Sequence, residues 1–250
     1  MRLSVFKTHR IASGEALEDV LKDYLPSLLE KDVIVITAKA VSYAEKRLVP
    51  RANALQEDLV QSEADRVFYN PNAEHQRLTL KDGILCPAAG IDDSNAGDNC
   101  ILLPQDSMQT AANLWRFLKA TYALQKVGVV IVDSKSQPLR RGVVGIALGW
   151  AGFEPLYSYN DTKDLDQRPF EHTQTNVVDS VAAAAVLMMG EGAEQTPFAR
   201  VQDIPRVTFL DVPTNPLQES LVIAPEDIST CLFCSTRACD APKRPVWGFC

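Results

Sequence analysis

The run Val33-Ile34-Val35-Ile36-Thr37 constrains the fold most. It is β-branched throughout and shows no polar alternation, so it reads as a strand buried on both faces. Strand readings also fit Leu3–Phe6, 100–103, 128–132 and 144–148. Leu78-Thr79-Leu80 and Ile84-Leu85-Cys86 flank Lys81-Asp82-Gly83, a hairpin signal with glycine where positive φ is wanted. Helical patterns cover three stretches. Residues 14–30 place Leu17, Val20, Leu21, Leu25, Leu28 and Leu29 on one face, with Pro26 expected to kink or split the helix. A helix capped by Asp106 or Ser107 runs to about Gln125, with Ala111, Trp115, Leu118 and Tyr122 inward. A third runs from a cap at Asn176 through VVDSVAAAAVLMM to Gly190, with Met188 and Met189 as core filler. A shorter helix near 55–67 precedes a loop with Pro71 and Asn72. Hairpins alternate with long helices without a regular βαβ rhythm, which gives an α+β class with mixed sheets.

Length and charge narrow the functions. The 250 residues are 46% apolar and 23% charged, ordinary for a globular protein, and no repeat or linker divides them. A net charge of -7 speaks against nucleic acid or an anionic membrane as the main partner. No apolar run reaches the roughly 18 residues of a membrane span, and MRLSVFKTHR lacks the apolar core of a secretion signal. The expectation is a cytoplasmic protein.

Several familiar chemistries are missing. There is no GxxxxGK[ST], no GxGxxG after a strand, no GxSxG and no HExxH. His9, His75 and His172 have no metal-ligand spacing and read as surface residues. Cys86 and Cys100 read as buried reduced thiols. Cys231, Cys234, Cys239 and Cys250 could close a zinc site, but one CxxC pair and a terminal cysteine favour a tail with incidental thiols.

What remains is a scattered set of acids. GIDDSN at 90–95 puts Asp92 in a glycine-led turn, and Asp133 ends the strand expected at 128–132. Both are places where cation and phosphate ligands occur. Asp92 either ligates or caps its own turn, and Asp133 either ligates or is solvated. Arg140 and Arg141 beside Gly142 either clamp phosphate or a carboxylate, or form a solvated edge. Asp161, Asp164, Asp166 and Arg168 read as a solvated charged loop, with an acceptor-side role as the alternative.

In order, the chain offers ITAKAVSYAEKRLV, CPAAGIDDSN, CILLPQD, VIVDSKSQPLRRG, IALGWAGFEPL, YNDTKDLDQR and VVDSVAAAAVLMMGEGAE. From about residue 8 to residue 200 this resembles the coenzyme F420:L-glutamate ligase family, γ-glutamyl ligases that act on a deazaflavin cofactor precursor. The resemblance implies that family's α+β fold over 1–205, which can comprise two lobes, with 206–250 as a cysteine-bearing extension. It implies Asp92 and Asp133 as catalytic metal ligands for Mg²⁺ or Mn²⁺, with Ser134 and Glu191 completing the shells. It implies Lys39 and Asn95 as nucleotide contacts, and a segment from Met189 through Gly190 and Gly192 to Thr196 around the phosphates of GTP or ATP. L-glutamate and a small-molecule carboxylate acceptor would be the other substrates, and a homodimer the assembly.

The departures cluster. Tyr43 stands where the family has lysine, Lys135-Ser136-Gln137-Pro138 where it has phenylalanine-glycine-arginine-proline, and Leu139 where it has tryptophan. Val143 replaces a glutamine and Ala88 an asparagine. Metal positions are kept better than substrate positions. That pattern suggests the same chemistry on a different acceptor, a folate-type one being the nearest alternative to the F420 precursor. The rival reading is a catalytically weak nucleotide- and metal-binding protein of the same fold.

Overall fold

The computed structural model describes residues 1–53, 57–68, 78–137, 140–160, 162–213 and 221. Among them the elements run in chain order β1 (Arg2–Phe6), α1 (Leu17–Tyr24), β2 (Val33–Thr37), α2 (Ala38–Ala44), β3 (Leu48–Pro50), α3 (Glu57–Glu63), β4 (Arg66–Phe68), β5 (Leu78–Lys81), β6 (Ile84–Pro87) and β7 (Asn99–Ile101). They continue with α4 (Ser107–Tyr122), β8 (Gly128–Ser136), β9 (Val143–Ala151), β10 (Leu156–Ser158), β11 (Gln174–Asn176), α5 (Val177–Met189) and β12 (Phe198–Gln202). The class is α+β. The chain divides into two compact units, one of Met1–Lys46 with Pro104–Leu221, the other with Arg47–Leu103 as its described part.

The first unit is built on a five-stranded sheet in the order β1-β12-β2-β8-β9. Only β2 and β8 pair in parallel, with Val33 opposite Gly128 and Thr37 opposite Val132. Val33 to Ile36 and Val129 to Val132 are all 0% exposed, so both strands are covered on both faces. On one face α5 lays Val178, Val181, Ala182, Ala185 and Met189 against Val33, Val35, Val130, Val132, Ala199 and Val201. Helix α4 packs on β8 and β9, and α2 on β2 and β8.

A bulge in β9 lets both helices approach. Ile131 pairs with Gly149 but Val132 with Ala147, so Leu148 has no opposite number. Gly145 then lies under α5, where a Cβ would come within 2.5 Å of the Ala182 carbonyl oxygen. Gly149 lies under the start of α4, where a Cβ would meet the Ser107 carbonyl oxygen at 2.3 Å.

The second unit carries the antiparallel three-stranded sheet β4-β5-β6 and the pair β3-β7. Lys81 and Ile84 close the expected hairpin, with Asp82 (φ 49°) and Gly83 (φ 77°) both left-handed, the backbone of a two-residue primed turn.

Several expectations need correction. The helix expected over 14–30 stops at Tyr24. Pro26 drives Leu25 to φ -81°, ψ 134°, so the helix ends where a kink or split was expected and does not resume, and Leu29 is left 59% exposed. The helix from Ser107 ends at Tyr122, because Ala123 turns left-handed; Asp106 is its cap, accepting the Gln109 N–H at 2.8 Å. Asp133 does not end its strand, since β8 pairs on to Ser136. Met188 is 53% exposed while Met189 is core, as a rotation of about 100° between helix neighbours requires. The helix expected near 55–67 is α3, only seven residues long, followed by the unexpected strand β4. Strands β3, β10, β11 and β12 and helix α2 also escaped the pattern reading. Cys86 and Cys100 are buried free thiols, as expected, and burial pushes the Cys100 thiol pKa up. Pro71, Asn72, His75, Pro138, Leu139, Asp161 and the four C-terminal cysteines lie outside the described residues.

The glycines give a first test. Gly149→Ala should cost about 2–4 kcal/mol in urea unfolding, because its Cβ would collide with backbone that cannot rotate away. Gly142→Ala meets open space and should cost only about 1 kcal/mol, from its φ of +89°.

Candidate functional site

In the first unit, the parallel register places the expected site residues at one end of the sheet. Thr37 ends β2 opposite Val132, so Lys39 in α2 and Asp133 in β8 both lie just past that pair. Val132 faces the α5 core, and Ser134, two residues on, shares its face. The Ser134 hydroxyl donates to Glu191 Oε2 at 3.1 Å, and the Ser134 N–H donates to Asp133 Oδ1 at 2.8 Å. Ser134 and Glu191, expected together, are therefore in contact, while Asp133, one residue back along β8, turns its side chain to the other face and is joined to them through the Ser134 N–H.

Gly190 ends α5 at φ 82°, ψ 171° and turns the chain across this end. The turn is tied down at several points. Thr196 Oγ1 donates to the Met189 carbonyl at 2.5 Å, and the Gly192 N–H donates to Glu194 Oε2 at 2.8 Å. The N–H groups of Thr8 and Thr37 donate to the carbonyls of Gln195 and Pro197 at 2.9 and 3.0 Å. Met189 itself is 5% exposed, so its side chain serves the core and only its backbone faces the turn.

The electrostatics of this end suit a cation. A helix C-terminus carries partial negative charge, worth about 0.3–1 kcal/mol against each nearby carboxylate. Glu191 and Glu194 both sit there, with Asp133 alongside Ser134. Such a group is balanced by a hard cation, and carboxylate and hydroxyl oxygens are the donors Mg²⁺ or Mn²⁺ takes. Among the described residues, no three His, Cys, Asp or Glu side chains form a metal-holding group. A metal held by Asp133, Ser134 and Glu191 would thus draw its remaining ligands from water or substrate phosphate. The Ser134 hydroxyl and the Glu191 carboxylate are oxygen donors of the kind such an ion takes.

Asp92 and Asn95 belong to the second unit. Asp92 exchanges backbone hydrogen bonds with Ile101, at 2.9 and 2.7 Å, and its Oδ1 accepts the Ser94 N–H at 2.7 Å. The side chain thus caps its own turn as one of its roles. Asn95 is exposed and left-handed at φ 59°, a conformation Asn tolerates well. Arg51 clamps the loop, reaching Asp93 Oδ2 at 3.0 Å, the Asp93 carbonyl at 3.1 Å and the Gly97 carbonyl at 3.4 Å. Sequence reading did not single out Arg51, and a lone arginine forty residues from its partners leaves no local signal.

The remaining candidates serve other ends. Arg140 and Arg141 are exposed in the β8–β9 connection, beside Gly142. The Tyr43 carbonyl accepts the N–H groups of Gly14 and Lys46. Glu45 accepts from the Gln105 N–H and the Thr110 hydroxyl, both at 2.8 Å, so the AEKR run braces the start of α4. His172 is exposed, while His9 bridges Glu15 at 2.7 Å and Tyr24 at 2.9 Å. Asp164 accepts the N–H groups of Asp166 and Arg168, at 2.9 and 2.8 Å, within its own loop.

Comparison with known proteins points one way. A family model described as F420-0:Gamma-glutamyl ligase matches residues 6–203. A protein of Methanothermobacter thermautotrophicus named coenzyme F420:L-glutamate ligase is 30% identical over 195 residues, covering 71% of this chain and 77% of its own. Proteins of the same name from Methanopyrus kandleri and Methanococcus maripaludis strain C6 are 30% and 29% identical, over 205 and 194 residues. They cover 75% and 71% of this chain, and 81% and 78% of their own lengths.

The turn leading into Asp92 yields a prediction. Ala88 (φ 46°), Ala89 (φ 55°) and Gly90 (φ 73°) are consecutive left-handed residues, held by the Thr79 hydroxyl, which accepts the Ala89 N–H at 2.8 Å. Alanine at Ala88 carries a steric cost that asparagine largely escapes. Ala88→Asn should therefore raise unfolding stability by about 0.5–1 kcal/mol in urea titration.

Proposed function

The chain belongs to the F420-0:gamma-glutamyl ligase family, and on that premise we propose that it joins L-glutamate to a carboxylate acceptor at the expense of GTP or ATP. Family membership makes it a ligase of the γ-glutamyl type. The structural observation that carries the finer reading is the Ser134–Glu191 contact beside Asp133, at the end of the parallel pair β2 and β8.

The γ-phosphoryl group passes to the acceptor carboxylate, giving an acyl phosphate and a nucleoside diphosphate. The glutamate amine then attacks the acyl carbon, loses a proton, and expels inorganic phosphate as the amide forms. A bound Mg²⁺ or Mn²⁺ supplies charge neutralisation at the transferred phosphoryl group. Asp133 and Glu191 would supply carboxylate oxygens to that ion, and the Ser134 hydroxyl, fixed by Glu191, would add a neutral oxygen. Lys39, next to the end of β2, offers a cation toward nucleotide phosphate. The turn from Gly190 to Thr196 presents backbone groups at the same sheet end. The acceptor is an F420 precursor or a folate. The loss of a lysine at Tyr43 supports a folate acceptor, which lacks the precursor's phosphodiester.

The test supplies the protein with GTP or ATP, Mn²⁺, glutamate and both acceptors, and follows mass. One added glutamyl unit on an acceptor, with stoichiometric phosphate, is the expected outcome. Asp133→Asn, nearly isosteric, should keep the melting temperature within a few degrees and lower turnover at least about 100-fold. Nucleotide binding without phosphate release on any acceptor would favour a binding protein of the same fold.

A further inference from the structure

Glu191 reaches Ser134 only if α5 lies close and in the right place along β9, and one carboxylate outside the site governs that placement. Asp179, in the first turn of α5, is half-buried and spends both oxygens. Its Oδ1 accepts the Ala147 N–H at 2.9 Å, and its Oδ2 accepts the Asn176 side-chain amide at 2.6 Å. Asn176 Oδ1 in return accepts the Asp179 N–H at 3.0 Å, so the two cap the helix reciprocally.

Ala147 is the residue next to the bulge. Because Leu148 is extra, the small residues Gly145 and Ala147 face α5; in an unbulged register Ile146 and Leu148 would take that face. Gly145 already has the Ala182 carbonyl oxygen 2.5 Å from where a Cβ would stand, so a larger side chain there would force α5 outward. Ser134 pairs with Gly145 across the ladder, and Glu191 follows α5 directly. The helix is thus pinned to β9 at its first turn by Asp179 and meets β8 just beyond its end through Glu191.

We propose that Asp179 is a positioning residue for the cation site: by holding the Ala147 N–H it keeps the β9 bulge in register, and so sets the Ser134–Glu191 contact from the far end of α5. Nothing in its surroundings requires it to touch substrate. The inference rests on the reading that Asp133, Ser134 and Glu191 hold Mg²⁺ or Mn²⁺, and the experiment separates the two.

Mn²⁺ alone is titrated into the full-length wild type, Asp179→Ala and Asp179→Asn, with amide hydrogen exchange at Ala147 followed in the same samples. Asp179→Ala should weaken Mn²⁺ binding by about tenfold, the lower end of what loss of a direct partner of a metal ligand costs, and expose the Ala147 amide to exchange. Asp179→Asn keeps shape but has one acceptor oxygen for two donors, so its affinity should fall between the other two. Being isosteric, it keeps the test alive if the alanine variant does not fold. Wild-type Mn²⁺ affinity in both variants, or in the folded asparagine variant alone, overturns the proposal while leaving the metal site standing. A wild type that binds no Mn²⁺ overturns both. A variant with lowered melting temperature and unchanged Mn²⁺ affinity shows Asp179 to be a helix cap and nothing more.

Discussion

Two strands buried on both faces, β2 and β8, lie side by side and parallel, and a parallel pair cannot be closed by a hairpin. The chain must leave the end of β2 and travel to the start of β8. It does so through α2, the whole Arg47–Leu103 segment and α4. Parallel pairing also brings two carboxyl ends together, so whatever follows Thr37 and Val132 is collected at one end of the sheet. Burial on both faces excludes polar side chains from the strand interiors and leaves them only where the strands emerge. Lys39, Asp133 and Ser134 are the residues that emerge. With them lies the turn after α5, because β12 pairs with β2 and starts at that end.

The acids at the end of α5 break a local rule. Lysine, arginine or histidine is favoured in the last turn of a helix, yet α5 has no basic residue there and is followed by Glu191 and Glu194. Departures of this kind are expected at functional sites, where local preference yields to chemistry. The cation of the proposed function would resolve the conflict, since the Glu191 oxygens that repel the helix end would then be among its ligands. The left-handed Ala88-Ala89-Gly90 turn before Asp92 is a second departure, and it too abuts an expected ligand.

Much of this was legible in the sequence, and the gaps have physical causes. The VIVIT run, the Asp-Gly hairpin and the cap at Asn176 are local signals that the structure bears out, and of the two caps the sequence offers for α4 it takes Asp106. Asp133, Ser134 and Glu191 are grouped by family resemblance, and of these the structure puts the Ser134 hydroxyl on Glu191. Short strands such as β3, β4, β10 and β11 have three residues each, too few for a period to show. The bulge at Leu148 depends on helix packing and leaves no pattern in IALGWAG beyond its two glycines. Arg51 and Asp179 act on residues about forty-five and thirty positions away, so neither role can be seen before the chain is folded. The leucines that run on past Pro26 suggest a helix kinked or split there, but Leu25 is forced extended and no helix resumes beyond it.

The central claim is that a divalent cation sits against β8 and the end of α5. Mn²⁺ is paramagnetic and broadens the amide resonances of nearby residues, so substoichiometric Mn²⁺ added to the isotopically labelled protein locates it directly. The account predicts that the amides of Asp133, Ser134, Glu191 and Gly192 broaden together, first and at the same added Mn²⁺, and that Glu191→Gln shifts that point to higher concentration. Broadening that begins elsewhere and leaves Ser134 and Glu191 sharp would contradict it.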